Sequence, residues 1–244
     1  MISFDLKKLR VKSGWRVLDI GCGSGRHTAA IARYRGVQIF GADINFNDVI
    51  ETQKRLISLE RLEGKRGRWH LLADSIDRLP FKDNFFDLII CSEILEHIPD
   101  HGRAVAEVVR VLKPGKDLIV SGPRFFPERI CWALSREYHT VDNGHIRIYP
   151  GKELIRVLEE SGLKKWSHHY AHSLHAPYWW LKCLVGPTRR DVVAVNLYHQ
   201  LLTWDIMKRP WITRFLDYLL NPILGKSLVV YLKKAEDRRP KTED

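Results

Sequence analysis

Apolar residues recur along this chain in short runs that end in an acid. Val17-Leu18-Asp19-Ile20, Val37-Gln38-Ile39-Phe40-Gly41-Ala42-Asp43 and Trp69 to Asp74 are the first three. Such runs predict buried strands at about residues 15–20, 37–43 and 69–74. Between them the spacing turns helical. One helix is expected from Ser24 to about Arg35, stopped by Gly36, and a second from Phe46 to Glu60, with Ile50, Leu56, Ile57 and Leu59 as its apolar residues. Repeated strand–helix units imply a parallel sheet with helices on both faces, so Asp19, Asp43 and Asp74 should meet along one sheet edge.

The first strand runs into Asp19-Ile20-Gly21-Cys22-Gly23-Ser24-Gly25, where glycines permit a tight turn and close approach to a ligand. The spacing is Asp-x-Gly-x-Gly-x-Gly, against the G-x-G-x-x-G of dinucleotide folds. An acid ahead of the first glycine suits a ligand carrying an ammonium or sulfonium group. The stretch resembles motif I of the class I S-adenosylmethionine (SAM)-dependent methyltransferases, in particular the type 11 branch containing the ubiquinone and menaquinone biosynthesis methyltransferases.

Further text supports that resemblance. Leu79-Pro80-Phe81-Lys82-Asp83-Asn84-Phe85-Phe86-Asp87 is similar to the family's stretch before strand four, and Leu112-Lys113-Pro114-Gly115 to its turn before strand five, Asp117 to Ser121. A helix from Lys152 to Glu160, strand six at 163–170 and strand seven at Ser227 to Leu232 complete the pattern. The likeness covers about residues 10–170 plus the last strand. It implies an α/β fold: a Rossmann-like, doubly wound, seven-stranded sheet, mostly parallel, with the last strand antiparallel. It also implies SAM as cofactor, held by Asp19, Gly21, Cys22, Gly23, Gly25, Asp43, Ile44, Asp74, Ser75 and Ser92. In the family, the acid after strand two bonds the ribose hydroxyls and the acid near strand three flanks the adenine; these are Asp43 and Asp74 here.

Directly after strand four stands Ser92-Glu93-Ile94-Leu95-Glu96-His97-Ile98-Pro99. On a helix, Glu93, Glu96 and His97 would share one face, able to bind a divalent cation or to work as acid and base. The E-x-x-E-H text resembles the metal-binding segment of ubiquinone-biosynthesis O-methyltransferases and small-RNA 2′-O-methyltransferases, which implies Mg2+ at Glu93, Glu96 and His97. Many relatives carry similar text in which Glu96 and His97 only brace the loop under the cofactor, and both alternatives stand. Candidate catalytic residues are Glu93, Glu96, His97 and His145. An extra piece between strands five and six, Pro123 to Pro150, has a helix expected at about Glu128 to Arg136, and brings His139, His145 and Tyr149 as further lining candidates.

Residues 172–226 form a second insertion, expected as an aromatic, basic helical cap beside a SAM-binding domain of residues 1–171 and 227–234, with 235–244 as a disordered tail. It holds half of the eight tryptophans, interleaved with Lys182, Arg189, Arg190, Lys208, Arg209 and Arg214. Tryptophan beside cations on amphipathic helices suits a membrane interface or a greasy acceptor; packing on the core is the plainer alternative.

The chain has 244 residues and a formal net charge of +11, which fits an anionic partner: nucleic acid, an acidic membrane or a phosphorylated substrate. No apolar run reaches the roughly 18 residues of a transmembrane helix, and the amino end does not read as a signal peptide. Cys22, Cys91, Cys131 and Cys183 show no C-x-x-C spacing, as expected of reduced thiols in a cytoplasmic protein, with a peripheral position at the inner membrane face. Three functions compete: methyl transfer to a small lipophilic acceptor, with O-methylation ahead of C-methylation; nucleic-acid methylation, less favoured because no RNA-binding module or N-P-P-Y text is present; and a non-catalytic SAM-binding or membrane-docking protein.

Overall fold

The computed structural model describes residues 2–140, 145–208 and 210–236, without the side chains of 139 and 140. Among the described residues there are seven strands: β1 (Arg16–Ile20), β2 (Gln38–Asp43), β3 (Arg68–Ala73), β4 (Phe86–Ser92), β5 (Leu112–Pro123), β6 (Leu163–Ala171) and β7 (Ser227–Lys234). They form one sheet in the order β3-β2-β1-β4-β5-β7-β6. β1 pairs in parallel with both β2 and β4, and β7 runs antiparallel to β5 and β6. Strand order therefore reverses at β1, which opens a crevice at the carboxyl ends of β1 and β4.

Alternation along the strands feeds two cores. Leu18, Ile20, Ile89, Cys91, Leu118 and Val120 pack on one face with Val105 and Val108 of α4 (His101–Val111) and Leu154 and Leu158 of α7 (Gly151–Glu160). Val17, Ile39, Leu88, Ile90 and Ile119 pack on the other with Ile31 of α2 (Arg26–Ala32) and Leu56 of α3 (Phe46–Glu63). All seven residues of β4 are buried, as a central strand covered on both faces requires. A short α1 (Leu6–Leu9) precedes the sheet, and Phe4 ahead of it stacks on His27 at 4.7 Å between ring centroids.

Four expectations are corrected. Ser92 to Pro99 is not a helix: β4 ends at Ser92, Glu93 takes a left-handed φ of 60°, and the following residues make isolated turns, His97 N–H to Ile94 C=O at 2.9 Å. Pro99 disfavours helical geometry at Ile98, and Ser121 C=O binds Glu93 N–H at 2.8 Å. Leu112 to Gly115 belongs to β5, whose pairing to β4 shifts register between Phe86 and Leu88. The extra piece holds two helices, α5 (Phe125–Leu134) and α6 (Arg136–Thr140), separated by an extended Ser135. The helix of the glycine turn starts at Arg26.

The second insertion is helical: α8 (His175–Val185), α9 (Val193–Lys208) and α10 (Trp211–Leu224). No described helix is long and apolar enough to cross a membrane. The expected tail falls on 235–244, of which 237–244 lie outside the described residues. The four cysteines are buried and free.

Candidate active site

The turn after β1 is held from the next strand. Asp43, closing β2, accepts Gly23 N–H on Oδ2 at 2.8 Å and Asn45 N–H on Oδ1 at 2.9 Å. Asp74 N–H in turn binds the Asp43 C=O at 3.0 Å, and Asp74 accepts its neighbour Ser75 N–H at 2.8 Å. Three strand ends are thus tied edge to edge, the turn after β1 to Asp43 by a charge-assisted bond and Asp43 to Asp74 by a backbone bond, and the Asp43 carboxylate retains lone pairs for a ligand's hydroxyls. Gly23 has φ 50°, and a Cβ there would meet nothing within 4 Å, so the turn presents bare backbone to open space. At Gly21 a Cβ would lie 1.9 Å from Ile94 Cδ1: the β4 loop closes on the turn at that point.

A cleft of about 900 Å³ opens here, large enough for a nucleoside-sized ligand. Its lining includes Gly21, Cys22, Gly23, Asp43, Ile44, Asp74, Ser75, Ser92, Glu93, His97 and His145. Ile44 stands 79% exposed, an apolar surface at the cleft. Most of the expected residues are therefore brought together. Two are not. Asp19 lies under the turn, 1% exposed, accepting from Thr28 Oγ1 at 2.5 Å; burial pushes its carboxyl up to about 6, and its Oδ1 has no partner among the described residues. Gly25 is the N-cap of α2 and packs on Thr52. Tyr149 also misses the cleft, buried in the core with Arg147 Nη1 donating to its hydroxyl. The side chain of His139 lies outside the described residues. None of the described residues of 172–226 lines the cleft.

At the β4 side the acids separate. Glu93 accepts from Ser121 Oγ at 3.0 Å, and Ser121 Oγ meets Ser92 Oγ at 2.8 Å. Glu96 is 1% exposed; burial, with the charge of Glu93, holds its carboxyl well above the usual range, and its Oε1 has no partner among the described residues. The expected trio Glu93, Glu96 and His97 is corrected to Glu96, His97 and His145, whose ligand atoms lie within 4.8 Å of one another. The correction follows from the absence of a helix, which alone would have aligned Glu93 with the other two.

Glu128 is expected from the sequence only as the start of a helix, not as a site residue. It sits on α5, 17 residues before His145, and its Oε1 meets His145 Nδ1 at 2.6 Å. Burial opposes its ionisation, but the hydrogen bond from His145 and the charge of Lys226, 3.7 Å from Oε2, outweigh that and hold its carboxyl below the usual range. As a carboxylate it accepts from Nδ1–H, which leaves Nε2 as the acceptor of His145. The His145 ring lies 5.0 Å from that of His97. An acid inside the apolar text Phe125-Phe126-Pro127-Glu128 was the only available signal. Arg26 and His27 also line the cleft unanticipated.

The geometry fits SAM: a bare glycine turn, a ribose-competent Asp43, and a roomy cleft ending in imidazoles. Comparisons agree. A methyltransferase-domain family model matches residues 18–120. The methyltransferase GfsG of Streptomyces halstedii is 36% identical over 167 residues, 64% of this chain and 55% of that protein, so the chain spans about half the length of this relative. The ubiquinone/menaquinone biosynthesis C-methyltransferase UbiE of Vibrio vulnificus is 36% identical over 179 residues, 65% of this chain and 67% of that one. A SAM-dependent methyltransferase structure from Methanosarcina mazei superposes with a TM-score of 0.58 at 16% identity, covering 96% of this chain and 99% of that one, which is a likeness of fold. From the glycine turn to the end of β5, this chain belongs to the SAM-dependent methyltransferases.

Proposed function

We propose that this protein methylates a small lipophilic acceptor, such as a prenylated phenol or quinone precursor, at an oxygen or ring carbon whose proton His145 removes. The observation that carries the reading is the buried Glu128 carboxylate 2.6 Å from His145 Nδ1, which turns the basic Nε2 into an oriented acceptor on the cleft wall. SAM, when bound, supplies an electrophilic methyl group. Asp43 would hold the ribose hydroxyls on the lone pairs that Gly23 and Asn45 leave free, and Asp74, Ser75 and Ile44 would hold the adenine. Gly21 and Gly23 let the chain approach the cofactor's amino-acid portion. Ile94 and Ile98 give the cleft an apolar wall suited to a greasy acceptor. Positioning of the two reactants then supplies much of the acceleration. The resemblance to a quinone-biosynthesis C-methyltransferase supports the acceptor class and favours carbon.

A second reading is carried by Glu96, His97 and His145. A buried carboxylate with an orphan oxygen and two imidazoles, one backed by a carboxylate, is a donor set suited to a divalent cation. Mg2+ there would act as a Lewis acid on an acceptor hydroxyl and favour O-methylation.

The test is transfer of radiolabelled methyl from SAM into a total lipid extract, with and without EDTA. Label in the organic phase is expected. Loss of label with EDTA, restored by magnesium, selects the metal-assisted reading; indifference to EDTA selects His145 alone. Label only in RNA or in water-soluble material, from protein that binds SAM, overturns the lipophilic acceptor.

A further inference from the structure

α10 is inside out. Its buried positions are polar, Thr213 and Asp217, while its solvent side carries Trp211, Phe215 and Tyr218, of which Trp211 and Tyr218 are each 76% exposed. α9 does so in part: it buries the apolar Val195 and Leu202 beside Asp205, while Leu201, Trp204 and Met207 face outward. A helix of a water-soluble protein normally shows the reverse.

The inverted faces are held in place by the polar ones. Asp205 accepts from Thr213 Oγ1 and from the Arg214 guanidinium, which locks α9 to α10. Asp217 accepts from Ser173 Oγ at 2.7 Å and Leu174 N–H at 3.3 Å, which locks α10 to the segment after β6. Rotating either helix to hide its aromatics would break these bonds. The exposed apolar face is therefore built, and something of low polarity covers it.

We propose that the α9–α10 face docks on an anionic lipid bilayer and lies in its interface. Charge selects this occupant. Residues 172–226 contain three acids against seven lysines and arginines. Two of those acids are buried in the bonds above, and the third, Asp191, pairs with Arg189 at 2.7 Å. Arg190 and Lys208, at either end of α9 in the chain, stay exposed. A second copy seated isologously would bring like cations together, with Asp191, already paired to Arg189, as the one exposed acid of the segment; a lipid surface with anionic headgroups meets them directly. Indole and phenol rings suit headgroup depth. Length excludes spanning: α9 has 16 residues and α10 has 14, about 24 and 21 Å at 1.5 Å per residue, short of a hydrocarbon core of about 30 Å.

This inference goes beyond the acceptor's identity and is tested without methyl transfer. The protein is floated with phosphatidylcholine vesicles with and without phosphatidylglycerol, beside the double variant Trp211→Glu/Phe215→Glu and the charge variant Arg190→Ser/Lys208→Ser. Wild type should float with the anionic vesicles, with a blue shift in tryptophan emission. The aromatic variant should lose at least about tenfold in bound fraction while its melting temperature and SAM affinity stay unchanged. The charge variant should lose its preference for phosphatidylglycerol. Failure of the wild type to float, undiminished flotation of the aromatic variant, or a sedimenting dimer that this variant dissociates would each overturn the proposal.

Discussion

Glu128, fully buried on α5, lies 2.6 Å from His145 Nδ1 at the cleft wall, so a residue of the insertion orients an imidazole that lines the cleft. Glu128→Gln keeps the size of the side chain and removes the charge that supports His145 as base. Methyl transfer should fall about 10- to 100-fold in kcat, with KM for the acceptor and Kd for SAM close to wild type. Calorimetric SAM titration beside initial-rate kinetics checks the split; a loss confined to SAM affinity would assign Glu128 a purely structural part.

Asp43→Ala removes an acceptor from Gly23 N–H and Asn45 N–H together with the site assigned to the ribose. Hydrogen bonds to a charged group are worth about 1.5–3 kcal/mol each, so SAM affinity should drop by about 100-fold or more. Unchanged affinity would refute the placement of the ribose.

Gly21→Ala puts a methyl group into Ile94 and forces a φ of 65° on alanine. The backbone conformation alone costs about 1–2 kcal/mol. The variant should melt several degrees lower and bind SAM weakly. Gly14→Ala carries the same kind of strain, φ 84°, with nothing within 4 Å, and should lower the melting temperature while leaving SAM binding intact.

His27 is buried, with neither ring nitrogen partnered among the described residues, and burial lowers its pKa from 6.5 to about 3. Between those values the unfolded chain binds a proton that the folded chain does not. Stability is therefore present above pH 6.5 and lost as pH falls toward 3, at up to about 1.4 kcal/mol per pH unit. His175, lowered by burial to about 4, acts in the same direction. Thermal melts from pH 7 to pH 4.5 should show the decline, and His27→Leu should make it shallower without abolishing it.

Much of this molecule was legible from local signals. The strands ending at Asp19, Asp43 and Asp74 follow from short apolar runs, and the turn from glycines whose left-handed φ needs no partner to enforce it. Both depend on residues adjacent in the chain, which is why the strand ends and glycine turn that line one side of the cleft could be read in advance. The acceptor half could not. Glu93, Glu96 and His97 have helical spacing, but Pro99 and the bond from Glu93 to Ser121, 28 residues away, hold the segment in turns and send Glu93 aside. Asp19 reads as a ligand contact, yet the packing of α2 buries it against Thr28. The pairing of His145 with Glu128 and the inverted face of α10 depend on which elements become neighbours. That is settled by long-range packing and by the need of buried carboxylates for partners, and neither leaves a periodicity in the chain.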